Sequence, residues 1–117
     1  MGDEHVPVRF RPALEEIVRR LAAGEYEGVA RDHSPHHGRN GHDLGMWVRD
    51  YPDELVPLPP EAWTTSSAGR VDGEDDVWWV IVDLWGAAKG RTDLSLEATV
   101  RSASTSVIVE IDDLHVM

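Results

Sequence analysis

The sequence predicts an α+β fold in which two or three N-terminal helices pack on one face of a roughly four-stranded antiparallel meander sheet. Hydrophobic residues recur at helical spacing up to about residue 51 and alternate from about residue 62 onward. The alternating segments are joined by short turns, so no helical crossover between parallel strands is needed. We therefore expect one domain over 1–117, with an arm at 1–9, a helical part at 10–51 and a sheet at 62–117.

The first predicted helix begins near Phe10 and ends before Gly24. Pro12 suits the first helical turn, where its missing N–H is not needed, and glycine is a common helix stop. One face of this helix is apolar, and it carries Phe10, Leu14, Ile17, Val18 and Leu21. This spacing places the helix against a core.

Two shorter helices are predicted before the sheet. The segment GEYEGVARD turns Tyr26, Val29 and Ala30 inward, and HDLGMWVRDY is ended by Pro52. In the third helix, Leu44, Trp47, Val48 and Tyr51 share one side. The residues between these helices, 32–42, are rich in Pro, Gly and Asn and predict a loop. The connector LVPLPPEAW is extended and at most an edge strand.

Four segments predict the strands of the sheet: WTTSSAGRV, VWWVIVDLW, LSLEATVR and SVIVEIDDLHV. The second is apolar on both faces, which is typical of a central strand. In the third, Leu94, Leu96, Ala98 and Val100 should face the core. In the last, Val107, Val109 and Ile111 fall on one face because side chains alternate along a strand.

Composition excludes several classes of function. There is no cysteine, which excludes disulfides, thiolate metal sites and a catalytic thiol. The formal net charge is −11, from 22 acidic and 11 basic residues, which disfavours binding to nucleic acid or anionic membrane and favours a basic protein partner. No apolar run approaches the ~20 residues of a membrane span. The N-terminus lacks signal-peptide features, so we expect a cytoplasmic protein.

Two stretches carry a resemblance to known families. The segment LEEIVRRLAAGEYEGVARD is similar to the opening of small NTF2-like (cystatin-like) domains. The region from WWVIVDLW to VIVEIDDLHVM resembles short bacterial domains that end in strands of the EIDDLHV kind. The resemblance implies an α+β architecture and a range of functions, from isomerases and dehydratases to ligand-binding and protein-binding modules. Small acidic domains of this sort also resemble immunity proteins of bacterial toxin systems.

A histidine-rich loop raises the question of a metal. His33, His36, His37 and His42 lie within ten residues, and zinc accepts imidazole ligands. Their spacing matches no defined metal-binding scaffold. We therefore expect a solvated polar loop and no cofactor, while a metal site and a pH-sensitive or partner-binding loop stay open as alternatives.

Asp83 is a weak candidate for a catalytic base. It shares a strand face with Trp79, Ile81 and Trp85, and a carboxylate enclosed by apolar side chains is a common way to make a general base. Trp79 and Trp85 would then form the walls of a pocket. The alternatives are a solvated face or ion pairs of Asp83 with an arginine, for which Arg70, Arg91 and Arg101 are candidates. The tryptophans could equally pack in the core or mediate a homodimer.

Two acidic groups are candidates for binding a partner. The first is a predicted turn and the second lies in the last strand, and together they comprise Asp72, Glu74, Asp75, Asp76, Glu110, Asp112 and Asp113. A solvated turn is the simplest interpretation of the first group. As a docking face, the two would accelerate association with a basic protein and contribute to specificity.

We therefore expect a non-catalytic interaction module, of the kind that an immunity-type protein would be, with a basic bacterial partner. The alternative is an NTF2-like pocket protein that binds a small apolar molecule, or transforms it as a lyase or isomerase with Asp83 as base. Enzymatic activity stays open on sequence grounds, since the fold class accommodates both roles.

Overall fold

The three predicted helices form, and they precede the sheet in the chain. The computed structural model describes residues 4–33, 41–74 and 76–116. Helix α1 is Arg11–Ala22, α2 is Tyr26–His33 and α3 is Gly41–Asp50. A single 3₁₀ turn, Val8–Phe10, leads into α1. The five residues of the predicted apolar face are fully buried, as their helical spacing requires.

The sheet contains five antiparallel strands: β1 is Leu55–Val56, β2 is Ser67–Arg70, β3 is Val77–Gly86, β4 is Gly90–Ser102 and β5 is Val107–Val116. Strands β2 to β5 pair in chain order, which confirms the predicted α+β meander. The two-residue β1 pairs with the last residues of β3. Strand β3 is therefore central, with β1 and β2 along one edge and β4 along the other.

The segment predicted as the first strand is divided into two elements. A 3₁₀ helix, Pro60–Thr65, takes its first half, and β2 begins at Ser67. Three hydroxyl groups in this segment donate to carbonyls three residues earlier, and the Ser66 hydroxyl reaches Trp63 O at 2.8 Å. Such local bonds compete with strand pairing, which explains the shorter strand. Within the arm, Glu4 forms an isolated bridge to Ala68.

The two faces of the sheet differ sharply in burial. The inner face packs under the helices, and on β3 it carries Trp78, Val80, Val82 and Leu84, all buried. Trp78 meets Phe10 edge to face, with ring centroids 5.7 Å apart. The predicted inner residues of β4 are also buried. The alternate residues of these strands point away from the helices, as the pleat requires.

Two irregularities interrupt the ladder. Between the pairs Asp83–Ser95 and Trp85–Arg91, β3 advances from 83 to 85 while β4 advances from 91 to 95. Between the pairs Glu97–Asp113 and Ala98–Ile111, β5 carries Asp112 as one extra residue. Such β-bulges bend a strand and redirect side chains.

Among the described residues, no helix has the length and apolar character needed to cross a membrane.

Candidate functional site

The outward face of the sheet carries large apolar side chains. On β3, Trp79, Ile81 and Trp85 are all half-buried. Trp79 lies across the backbone of β2, because a Cβ placed on Gly69 would be 2.7 Å from its Cζ2 atom. The Trp85 indole N–H is buried and has no hydrogen-bond partner among the described residues. Apart from Asp83, the outward residues of β3 from 79 to 85 are therefore large and apolar.

Carboxylates lie beside that apolar row. Glu97 pairs with Ile81 across β3 and β4, and Asp113 pairs with Glu97 across β4 and β5. In the neighbouring row of paired residues, Glu110 pairs with Thr99. The Thr99 hydroxyl donates to Asp112 Oδ2 at 2.7 Å. We call this surface the open face, and it comprises Trp79, Ile81, Asp83, Trp85, Glu97, Thr99, Glu110, Asp112 and Asp113. The second predicted acidic group therefore lies on it.

The first predicted acidic group occupies one end of the sheet. Asp72, Glu74 and Asp76 are exposed in the β2–β3 turn. Asp76 O accepts a hydrogen bond from the Ser102 N–H at 2.8 Å, so this turn lies beside the end of β4. Asp75 lies outside the described residues. The two acidic groups are thus at different places on the sheet, one at its end and one on the open face.

Asp83 shares the open face with Trp79 and Trp85, as its position in the strand predicts. Its Oδ1 accepts a hydrogen bond from the Ser95 hydroxyl at 3.0 Å. Its Oδ2 lies 4.0 Å from Arg91 Nε, and the Asp83 side chain is 23% exposed. The carboxylate is therefore held by a hydroxyl and a guanidinium, the arginine pairing that was one of the alternatives. A role of Asp83 as a base, with the two tryptophans as pocket walls, stays a prediction.

The histidine loop is described at its two ends. His33 ends α2, and its Nδ1 is 3.0 Å from Val109 O, which fastens that helix to β5. His42 is exposed in α3. Within the described ranges, no group of three or more metal-ligating side chains is gathered. His36 and His37 lie outside those ranges, so the metal alternative stays a prediction.

A cleft opens where the end of α3 meets the ends of β4 and β5. Its volume is about 510 Å³. The apolar wall of this sheet-end cleft consists of Trp47, Pro52, Leu94, Leu114 and Val116. Leu94 and Leu114 are also members of the hydrophobic core. The cleft therefore has a floor that is fixed by core packing, a common property of small-molecule sites.

Polar groups complete the lining of the sheet-end cleft: Asp50, Tyr51, Lys89, Asp93 and His115. The Tyr51 hydroxyl donates to Asp93 Oδ1 and accepts from the Asp93 backbone N–H at 3.3 Å. The hydrogen bond to the Asp93 carboxylate, with some burial, raises the pKa of Tyr51 above its usual value. The phenol thus stays protonated at neutral pH and orients the carboxylate.

The β3–β4 hairpin is held against the residues that follow α3. Asp53 Oδ1 accepts from the Ala88 N–H at 3.1 Å, and its Oδ2 accepts from the Lys89 N–H at 2.8 Å. These backbone donors, Lys89 first, lower the pKa of Asp53. A Cβ on Gly86 would lie 2.1 Å from Asp53 Oδ2, so glycine there permits the approach. This contact holds the backbone of Lys89, a residue that lines the sheet-end cleft.

At the other side of the cleft, His115 hydrogen-bonds to Glu97 through Nε2. That hydrogen bond raises the pKa of His115, and burial opposes the effect only in part. His115 therefore links the lining of the sheet-end cleft to the acidic row of the open face.

The sheet-end cleft was not predicted from the sequence. Tyr51 and Asp93 are 42 residues apart, and no motif connects them. Tyr51 was expected within the third helix, on one side with Trp47 and Val48, and it lies just beyond the end of α3. The irregularity between β3 and β4 frees Asp93 from regular pairing, and such a bulge has no clear mark in this sequence.

Comparison with known proteins identifies a family without a described activity. No curated protein matches the chain, and no solved structure matches it. A family model does match residues 18–117, which is most of the chain, including α2, α3 and the whole sheet. On that match, the chain belongs to the family described as Domain of unknown function (DUF7668).

Proposed function

We propose that this chain is a non-catalytic interaction module that binds a basic protein through the open face. The observation that carries the proposal is the composition of that face. It combines three half-buried apolar side chains with five carboxylates, and with Arg91 beside Asp83, on the side of the sheet opposite the one that packs with the helices. Protein interfaces commonly combine a central aromatic patch with a charged surround.

The arrangement of the two kinds of residue supports the proposal. The apolar row follows β3, and the carboxylates of β4 and β5 flank it on one side. A basic partner could therefore bury apolar area against Trp79 and Ile81 while its cations meet Glu97 and Asp113. The net charge of −11 extends the attraction over longer distances and would accelerate association.

An immunity-type protein, which blocks a basic bacterial toxin, is the class of module that we propose. The resemblance of small acidic domains to such proteins supports it, and so does the resemblance of α1 and α2 to NTF2-like domains, which include protein-binding modules. The fold class itself is compatible with enzymes as well, so the proposal depends on the surface and not on the architecture.

The first experiment is a pull-down from the native host with the full chain as bait, at low and moderate salt, read by mass spectrometry. We expect one basic protein at stoichiometric yield, released as salt rises, because charge pairs at an interface are screened. Recovery of no protein would contradict the proposal. A dimer of the bait in sedimentation that the open-face variant dissociates would contradict it too. The open face would then be occupied by a second copy of the chain.

Two matched variants locate the interface. One neutralises three carboxylates of the open face: Glu110→Gln, Asp112→Asn and Asp113→Asn. The other neutralises three in the β2–β3 turn: Asp72→Asn, Glu74→Gln and Asp76→Asn. Both change the net charge by the same amount. We expect about tenfold weaker binding of the captured protein for the open-face variant and a smaller effect for the turn variant. Equal effects would mean that net charge, rather than the open face, determines binding.

A further inference from the structure

We propose that the sheet-end cleft is a binding site for a small organic amine, with an apolar body in the cleft and a protonated amino group at Asp93. This site adjoins the open face at His115, which bonds to Glu97, but it shares none of the residues that define that face, and the inference does not depend on the proposed function. It depends on the volume of the cleft, on its apolar floor and on the charges at its rim.

The volume and the floor suit a small apolar body. A volume of about 510 Å³ lies within the ~300–1,000 Å³ typical of small-molecule sites. Leu94 and Leu114 are almost fully buried, at 3% and 2% exposure, so they are fixed from behind by the core. Trp47 adds an aromatic wall from α3. A flat hydrocarbon or aromatic body would therefore replace water against preorganised apolar side chains.

The rim of the cleft favours a cation. Asp50 and Asp93 contribute two carboxylates, and Lys89 contributes one ammonium group on an exposed side chain. His115 also lines the cleft, and its Nε2 is engaged by Glu97. With His115 set against Glu97, the two carboxylates outnumber the one ammonium group, so the charge around the cleft is negative. The net charge of −11 adds to this negative potential. An anionic head group would be repelled by the same charges.

Tyr51 orients the carboxylate of Asp93 for such a head group. The Tyr51 hydroxyl donates to Oδ1 of Asp93 and fixes the orientation of the carboxylate. An ionised carboxylate has about four acceptor sites, so further acceptor sites remain for a donor in the cleft. An ammonium group offers three donors and no acceptor, and it forms charge-assisted bonds to a carboxylate. A neutral alcohol of the same shape would form a weaker bond.

The test uses three probes with similar bodies and different heads: 2-phenylethylamine, 2-phenylethanol and 3-phenylpropionate. Each is titrated into the ¹⁵N-labelled full chain, and amide shifts are followed by NMR. We expect the amine to shift the amides of Asp93, Leu94, Leu114 and Val116. We expect the alcohol to bind about tenfold more weakly, the size of one charge-assisted hydrogen bond, and the carboxylate more weakly still. Equal binding of the three probes would overturn the proposal, and so would shifts confined to the open face or an absence of shifts at the cleft.

A matched pair of variants tests the head-group contact. Asp93→Asn removes the charge and keeps an acceptor for Tyr51, whereas Asp72→Asn removes the same charge from the turn at the opposite end of β3. We expect about tenfold weaker amine binding for the first and no change for the second. Equal weakening of amine binding in both variants would mean that binding depends on the overall negative charge and not on Asp93, and it would overturn the proposal. The Asp93→Asn variant should still capture the basic protein in the pull-down. The amine titration and the pull-down therefore test the two proposals separately.

Discussion

The two faces of the sheet are made by alternate residues of the same strands, yet they differ in burial and in charge. Trp78 is 5% exposed beneath the helices, whereas its neighbour Trp79 is half-buried on the open face. On β5, Ile111 is fully buried and Ile108 is 54% exposed. Residue type is the same in each pair, so the difference comes from position, and chiefly from the side of the pleat on which the residue lies. Burial therefore separates the residues that hold the fold from those that meet solvent.

The largest expected effect comes from the two adjacent tryptophans. Trp78→Ala should lower the free energy of unfolding by about 3–5 kcal/mol, because it leaves a cavity against Phe10. Trp79→Ala should lower it by less than about 2 kcal/mol, since part of that ring already meets solvent. Urea unfolding followed by circular dichroism measures both. Equal losses would mean that the open face contributes as much to folding as the inner face does.

The isoleucines of β5 give the same comparison with a smaller side chain. We expect Ile111→Ala to cost about 2–4 kcal/mol, as for other fully buried aliphatic side chains. Ile108→Ala should cost about 0.5 kcal/mol or less, because more than half of its surface is exposed. The midpoint of urea unfolding measures both. A large loss from Ile108→Ala would show that this end of β5 packs more tightly than its exposure indicates.

The smallest expected effect concerns pH. The hydrogen bond to Glu97 raises the pKa of His115 above its ordinary 6.5, so the folded chain binds this proton more tightly than the unfolded chain. The resulting stability is fully present below pH 6.5 and is lost as pH rises through the folded pKa. The side chains are 32% and 37% exposed, so solvent screening limits it to about 0.5 kcal/mol.

Urea unfolding at pH 5.5 and pH 8.5 measures this contribution as a difference between variants. Glu97→Gln should reduce the pH dependence, whereas Glu110→Gln, on the same face, should leave it unchanged. An unaltered pH dependence in Glu97→Gln would remove the pair as its source.

Periodicity predicted the helical and central-strand parts of the fold because burial there follows simple spacing. The face from Phe10 to Leu21 and the inner residues of β4 are buried as expected. The predicted start of the first strand, now β2, was wrong, because local hydroxyl bonds near Ser66 favour a 3₁₀ helix over strand pairing. Propensity patterns do not contain that competition, which depends on a few bonds within six residues.

The candidate surfaces were less predictable than the fold. The strand pattern correctly placed Asp83 with Trp79 and Trp85, because alternation fixes the face of each residue. The strand pattern does not give the pairing register between strands. That register places Glu97 opposite Ile81, on the same face. The contact of Tyr51 with Asp93 depends on a bulge and on the end of a helix at once. Pro52 predicts the end of the helix, whereas the bulge has no distinctive sequence signal here.

The extra residue in β5 gives this strand two frames of alternation joined at Asp112. Val109 and Ile111 reach the core in the first frame, and Leu114 reaches it in the second. A chain that lacked Asp112 would have a single regular frame and the same three core side chains, with one carboxylate fewer outside. Insertion or deletion at this point is therefore a route by which the charge of the surface could diverge between relatives while the interior stays as it is.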